Sequence, residues 1–193
     1  VLQRLLADLP VSAADIMRMG VGGLLTEIAT RPLPRQEASP ELGAGIPRAP
    51  RIAAIVLAAG QSSRMQGTNK LLAEIDGRHM VERVLDAALG SQARPVIVVT
   101  GHDGARIRAA LAGRDVTIID NPNYAEGLAS SIRAGLAAVP ADIDGAIFLL
   151  ADMPRVTSAH IDRLIAAFNP VEGRAVCVPT YRAKRGNPIL WAA

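Results

Sequence analysis

This chain is poor in the residues that mark several large classes of protein. Aromatic side chains make up 3% of its 193 residues. A core must therefore be assembled from Ala, Val, Ile and Leu, and rows of exposed rings for stacking nucleic-acid bases are absent. Cys177 is the only cysteine, inside the apolar run Ala175-Val-Cys-Val178. No disulfide framework can form, which fits a reducing cytoplasm, and the thiol reads as buried and inert. The apolar runs are too short to span a bilayer, and the start lacks the charged and apolar regions of a leader. The net charge is only +3, and the arginines are scattered singly rather than in runs. Nucleic-acid binding is disfavoured, and small phosphorylated ligands fit as well. Histidines 79, 102 and 160 have no metal-ligand spacing, and no Ser-His-Asp order stands out. Among them only His102, beside a strand end, is placed for catalysis, and a structural role is favoured for it as well.

Lysine is also nearly missing: Lys70 and Lys184 are the only two. One of them closes the stretch 57–70, Leu-Ala-Ala-Gly-Gln-Ser-Ser-Arg-Met-Gln-Gly-Thr-Asn-Lys. The apolar run 52–57 before it reads as a buried strand. Leu57, Ala58, Ala59 and Gly60 let backbone N–H groups approach an anion, Ser62 can donate a hydroxyl, and Arg64 and Lys70 add charge. No Gly-Lys pair makes a Walker A loop, and Gly60-Gln61-Ser62 breaks the dinucleotide fingerprint. A flexible strand-to-helix connection would look similar.

Prolines 32, 34, 40, 47 and 50 divide the chain. Residues 36–51 read as a linker, and 1–35 as a packing arm or the tail of a preceding domain, since so short a piece builds no core alone. The initial Val1 and the run stopping at Trp191-Ala-Ala suggest a piece of a longer chain. From residue 52 the pattern alternates. Strands are expected at 52–57, 95–100, 116–119, 146–150 and 175–179, with an extended 188–191 and a short strand or turn at 71–75 closed by Asp76-Gly77. Helices are expected at 79–89, 103–112, 127–138 and 158–168, the last capped by Thr157 or Ser158. This is an α/β chain with a doubly wound, mostly parallel sheet. Ligands of such sheets bind beyond the carboxyl ends of the strands. Those ends carry the glycine loop, Thr100-Gly-His102, Asp120-Asn121 and Asp152, all on one edge.

Asp152 follows a wholly apolar strand and precedes Met153-Pro154, so its carboxylate is placed to hold Mg²⁺ or to cap the turn. Asp120, in Asp-Asn-Pro-Asn, reads as a turn residue. Gly127, Ser130 and Ser131 either present groups to a ligand at a helix start or cap the helix. Arg185-Gly186-Asn187-Pro188 is a turn that could meet an anionic substrate.

Together these residues resemble the MobA-like nucleotidyltransferases, and within them the molybdenum cofactor cytidylyltransferases. The likeness rests on Leu57-Ala-Ala-Gly-x-Ser-x-Arg-Met with Lys70, Asn69-Lys-Leu-Leu72, Asn121-Pro with Glu126-Gly and Ser131-Ile-Arg-Ala-Gly135, Ala151-Asp-Met-Pro154, and Arg185-Gly-Asn-Pro188. They occur in family order across 52–191. Gln66 departs from the pattern, where relatives usually have Gly. Residues 15–35 also resemble the tail of a molybdopterin-binding domain. The resemblance implies a Rossmann-like domain of the nucleotide-diphospho-sugar transferase type, over 52–193 and cut at its C-terminus. It implies transfer of CMP from CTP to the phosphate of molybdopterin, with Mg²⁺ and release of pyrophosphate. Leu57, Ala58, Ala59, Gly60, Ser62, Arg64, Lys70 and Asn121 would bind the nucleotide, and Lys70, Arg64 and Asp152 would be catalytic, with Asp152 on the metal. Gly127, Ser130, Ser131, Arg185, Gly186, Asn187 and Pro188 would face the acceptor. Ala59, where guanylyl-transferring relatives have Gly, favours CTP over GTP. A molybdoenzyme or a fused molybdopterin-binding domain would be the partner. The rivals are GTP as donor, a sugar or polyol phosphate as acceptor, and a non-catalytic nucleotide-binding or pterin-binding domain.

Overall fold

The structure is a computed structural model that describes residues 48–60 and 69–193. The expected arm at 1–35, most of the linker, and Ser62, Arg64 and Gln66 lie outside the described residues. Strand β1 (Ile52–Ala58) is buried along its whole length. It pairs in parallel with β4 (Val96–Thr100) on one side and β6 (Gly145–Leu150) on the other, and β4 pairs in parallel with β5 (Thr117–Asp120). Continuous apolar runs form these strands because helices cover both sheet faces. β10 (Ile189–Ala192) then pairs antiparallel to β6, and β7 (Val176–Cys177) antiparallel to β10. The order across the sheet is β5-β4-β1-β6-β10-β7.

Alternate residues of a strand face opposite sides, which divides the core. Ala54, Val56, Val98 and Ile147 join Val81, Val84 and Leu85 of α1 (Met80–Leu89) and Ile161, Leu164 and Ile165 of α4 (Ser158–Ala167) in one buried cluster. Ile107 of α2 (Gly104–Ala110) belongs to it too. The other face carries α3 (Leu128–Ala137), seated against β1 and β4. Gly135 makes that seat possible, because a Cβ there would lie 2.6 Å from Ile55 Cγ2 and 3.2 Å from Val99 Cγ2. Leu190, fully buried, carries the first cluster onto β10.

Several boundaries differ from the sequence expectation. The stretch 71–75 is a 3₁₀ turn, Lys70–Leu72, followed by β2 (Glu74–Ile75), which forms a hairpin with β3 (Arg78–His79). Asp76 and Gly77 both have positive φ, 51° and 73°, as a two-residue hairpin turn needs. His79 therefore ends a strand, and the helix starts one residue later than expected. Helix 103–112 is shorter, Gly104–Ala110, and strand 175–179 shrinks to Val176–Cys177. The residues beyond it form a second hairpin, β8 (Thr180–Tyr181) with β9 (Lys184–Arg185), that the sequence did not reveal. Arg182 and Ala183 turn it with φ of 48° and 61°.

Candidate active site

From β1 the chain steps to β4 and β5 on one side, then returns to β6 on the other. The crevice beyond the carboxyl ends of β1 and β6 is thus the point where strand order reverses, the usual ligand position in such sheets. Two chain segments deliver charge to it. After β1, Ala59 is buried, while Gly60 is exposed with open space around it. Past the segment outside the described residues, buried Asn69 accepts the Leu71 amide on its Oδ1 at 3.0 Å. Leu71 is itself buried, so the 3₁₀ turn is pinned and Lys70 has a fixed root.

The second segment follows β6. Ala151 N donates to Leu57 O at 3.2 Å and Met153 N to Leu150 O at 3.1 Å, which bends the chain just as Asp152 emerges. Lys70 Nζ and Asp152 Oδ2 meet at 2.5 Å, with 41% and 37% of their side chains exposed. They stand 82 residues apart in sequence. An ion pair this wet contributes little to stability, so the fold gains little from holding it there. A carboxylate and an ammonium at the reversal point of the sheet can instead serve a metal–triphosphate ligand, the oxygen taking the cation and the nitrogen the phosphate. Among the described residues no group of three or more His, Cys, Asp or Glu could hold a metal ion. One carboxylate suffices for Mg²⁺ when substrate phosphates and water complete its shell, so Asp152 fits the ion expected there.

The other expected site residues divide. Asn121, 3% exposed, donates from Nδ2 to Ser130 Oγ at 2.9 Å and Ser131 Oγ at 3.0 Å, and accepts from Asn123 N at 3.0 Å. Ser130 Oγ also contacts the Asn123 and Gly127 carbonyls, each at 2.8 Å. These buried groups satisfy one another, as buried polar atoms must, and so tie the 121–127 loop to the start of α3. Gly127 bridges the 3₁₀ turn Tyr124–Glu126 and α3 at φ 103°, with open space where a side chain would be. Asn187 and Pro188 line an open groove of about 810 Å³ whose wall includes Asp152. Arg185 is exposed on β9, and Gly186 N closes the hairpin base on Pro179 O at 2.9 Å.

Three features were not legible beforehand. Thr100, wholly buried, donates its hydroxyl to Asp120 Oδ1, and Arg108 Nη2 reaches Asp120 Oδ2 at 2.8 Å. The Thr100 hydroxyl, then Arg108, hold the Asp120 carboxyl below its ordinary range despite partial desolvation. Tyr124 rests on the β4 end: a Cβ at Gly101 would come within 2.6 Å of Tyr124 Cβ and 3.0 Å of Ala59 Cβ. His102 lies 6.0 Å from the Tyr124 ring, centre to centre, and has no carboxylate partner among the described residues. Only the Gly-His-Asp at the strand end hinted at this packing. The third feature, the exposed β8–β9 hairpin, has no Gly, Asn or Asp at its turn to announce it. Cys177 behaves as expected: it is buried, and burial pushes its thiol up.

Such a sheet, with a glycine loop after its first strand and a Lys–Asp pair at the reversal point, defines a nucleotide-binding α/β domain. Comparison with known proteins makes the class specific. Residues 54–193 match the MobA-like NTP transferase domain, and the chain belongs to that family. It is 35% identical over 142 residues to the bifunctional protein GlmU of Micrococcus luteus, covering 69% of this chain and 28% of that one. The chain thus spans under a third of that curated relative's length. Among solved structures it is similar to Rv0371c of Mycobacterium tuberculosis, with TM-score 0.65 and 28% identity over 75% of this chain and 72% of that one. A manganese complex of Rv0371c superposes with TM-score 0.63. A nucleotidyl transferase from Methanothermobacter matches with TM-score 0.64 and 28% identity, over 72% and 70% of the two chains. No helix among the described residues is long and apolar enough to cross a membrane.

Proposed function

We infer that this chain is a nucleotidyltransferase that moves CMP from CTP to the phosphate of a molybdopterin-type acceptor and releases pyrophosphate. The observation that carries the reading is the Lys70–Asp152 contact at the reversal point of a sheet whose first strand opens into the glycine loop. Family membership supports nucleotidyl transfer, and the manganese bound to the related Rv0371c supports a divalent ion. Molybdopterin and CTP rest on the segment likenesses set out above.

In this reading the 57–64 loop holds the nucleotide by its backbone amides, with Ser62 adding a hydroxyl. Lys70 and Arg64 neutralise the triphosphate and the charge that builds on departing pyrophosphate. Asp152 would hold Mg²⁺, which when bound screens the phosphate oxygens and polarises the α-phosphorus. An acceptor phosphate oxygen forms a bond to that phosphorus as the bond to the bridging oxygen breaks, and pyrophosphate leaves with the electron pair. No protein nucleophile is needed, because positioning and electrostatics supply most of the rate. Asn121, Ser130 and Ser131 serve by fixing the backbone of 121–127, with Gly127 leaving room for the acceptor side. Arg185, Gly186, Asn187 and Pro188 border that side. Ala59, which stands where guanylyl-transferring relatives have Gly, favours CTP over GTP. A molybdoenzyme or a fused molybdopterin-binding domain would pass on the cofactor in the cytoplasm.

The test is pyrophosphate release by the full chain with Mg²⁺, pairing CTP and GTP each with molybdopterin and with a sugar phosphate. Turnover with CTP and molybdopterin alone is the expected result. Turnover only with a sugar phosphate, the second reading this fold family accommodates, would move the substrate assignment. Nucleotide binding without pyrophosphate from any pair would make the chain a binding domain.

A further inference from the structure

The groove beside Asp152 has one wall from the connection between β6 and α4 and another from the β8–β9 hairpin. Its charge is one-sided. Arg155 and Arg163 line it, Arg182, Lys184 and Arg185 stand on the hairpin, and none of these cations pairs with a carboxylate among the described residues. Among the described residues Asp152 is the only acid in the lining, and Lys70 already faces it. Cations gathered without partners beside a concave surface repel one another until an anion arrives. Between them lies apolar surface from Val156, Leu164 and Pro188. The groove therefore suits a molecule with a flat apolar body and more than one negative charge.

Tyr181 identifies the body. Phe148, Phe168 and Trp191 are buried, whereas Tyr181, in a chain with so few rings, is 73% exposed on the groove wall. The Arg182 guanidinium sits 5.2 Å from its ring centre. An exposed ring braced by a guanidinium is a stacking platform, and its exposure costs burial that folding would otherwise gain.

We propose that this groove is the acceptor subsite, in which Tyr181 stacks on a planar conjugated ring while Arg155 and Arg163 meet the ligand's anionic groups, its phosphate among them. The proposal rests on the cytidylyltransferase reading for the identity of that phosphate, but the ring requirement is separately testable. Neopterin monophosphate, a fluorescent pterin phosphate, and ribose 5-phosphate are titrated into the full chain. The nucleotide site is kept filled with α,β-methylene CTP, which cannot transfer. The pterin phosphate should bind at least about tenfold more tightly than ribose 5-phosphate. Tyr181→Ala should remove that preference, Tyr181→Phe should keep it, and Arg163→Gln should weaken both ligands. Equal binding of the two probes, binding of neither, or a Tyr181→Ala variant that still prefers the pterin would overturn the proposal. Ring-dependent binding without any cytidylyl transfer would sink the reaction and leave the subsite. Transfer by Tyr181→Ala at the wild-type acceptor KM would do the reverse.

Discussion

At the residue scale, the proposed reaction makes Lys70 and Asp152 the least replaceable side chains of the site. Their contact is open to water, so it adds little to the stability of the fold. Lys70→Ala and Asp152→Ala should each lower kcat by about 10²–10³-fold, the range for removing one electrostatic contributor. Circular dichroism and melting temperature should stay at wild-type values, and near-normal turnover from both variants would end the assignment. Asn121 is the opposite case. Its amide is buried and serves Ser130, Ser131 and Asn123 at once. Asn121→Ala strands buried partners and should cost about 1–3 kcal/mol of stability, read by urea denaturation. Asp120 supplies a pH signature. Its carboxyl is held low, chiefly by Thr100, so its contribution is present above the ordinary carboxylate pKa and is lost as pH falls through the folded value. Thr100→Val removes the main cause. The stability gap between wild type and variant should therefore narrow between neutral pH and about pH 3, a range set by carboxylate titration. A gap that stays constant would mean that the hydroxyl does not hold the carboxyl.

At the scale of elements, the inner parallel strands were legible because burial on both faces leaves an unbroken apolar run, and β1, β4 and β6 each have one, whereas the edge strand β5 shows only Ile118 and Ile119, both half-buried. Asp76-Gly77 likewise announced its turn. What stayed hidden has a physical cause in each case. Arg182 and Ala183 carry positive φ without a residue that favours it, so the β8–β9 hairpin left no mark. The direction of β10 is invisible to periodicity, since parallel and antiparallel strands alternate alike. Asn121, Ser130 and Ser131 have the same composition whether they cap a helix or hold a ligand, and only the distances separate the two. Gly135 is the tightest joint between helix and sheet on the α3 face. Gly135→Ala puts a methyl against Ile55 and Val99, and overpacking there should cost about 1–3 kcal/mol despite the better helix propensity of Ala. Chemical denaturation checks this, and an unchanged or stabilised variant would show that α3 can shift freely.

At the scale of the whole molecule, the proposed reaction divides its parts between opposite halves of the sheet. β1 leads into the stretch read as the donor loop, and the β6–β10 side carries Asp152 and the groove. The crossing order also shapes how the protein comes into being. β7 precedes β10 in the chain but lies beyond it in the sheet, so its one strand partner among the described residues is made later. During vectorial synthesis β1, β4, β5 and β6 can zip together as they appear, while Val176–Cys177 must wait for Ile189–Ala192 to leave the ribosome. A nascent chain stalled before Ile189 should hold a protease-resistant parallel half and an unprotected stretch from about Asn169 onward. Release should protect both together, and pulse proteolysis of stalled and released chains reads the difference. The half that bears the glycine loop is thus formed before the edge that carries β7, and under the proposed reaction a half-made enzyme would hold nucleotide with nothing to give it to.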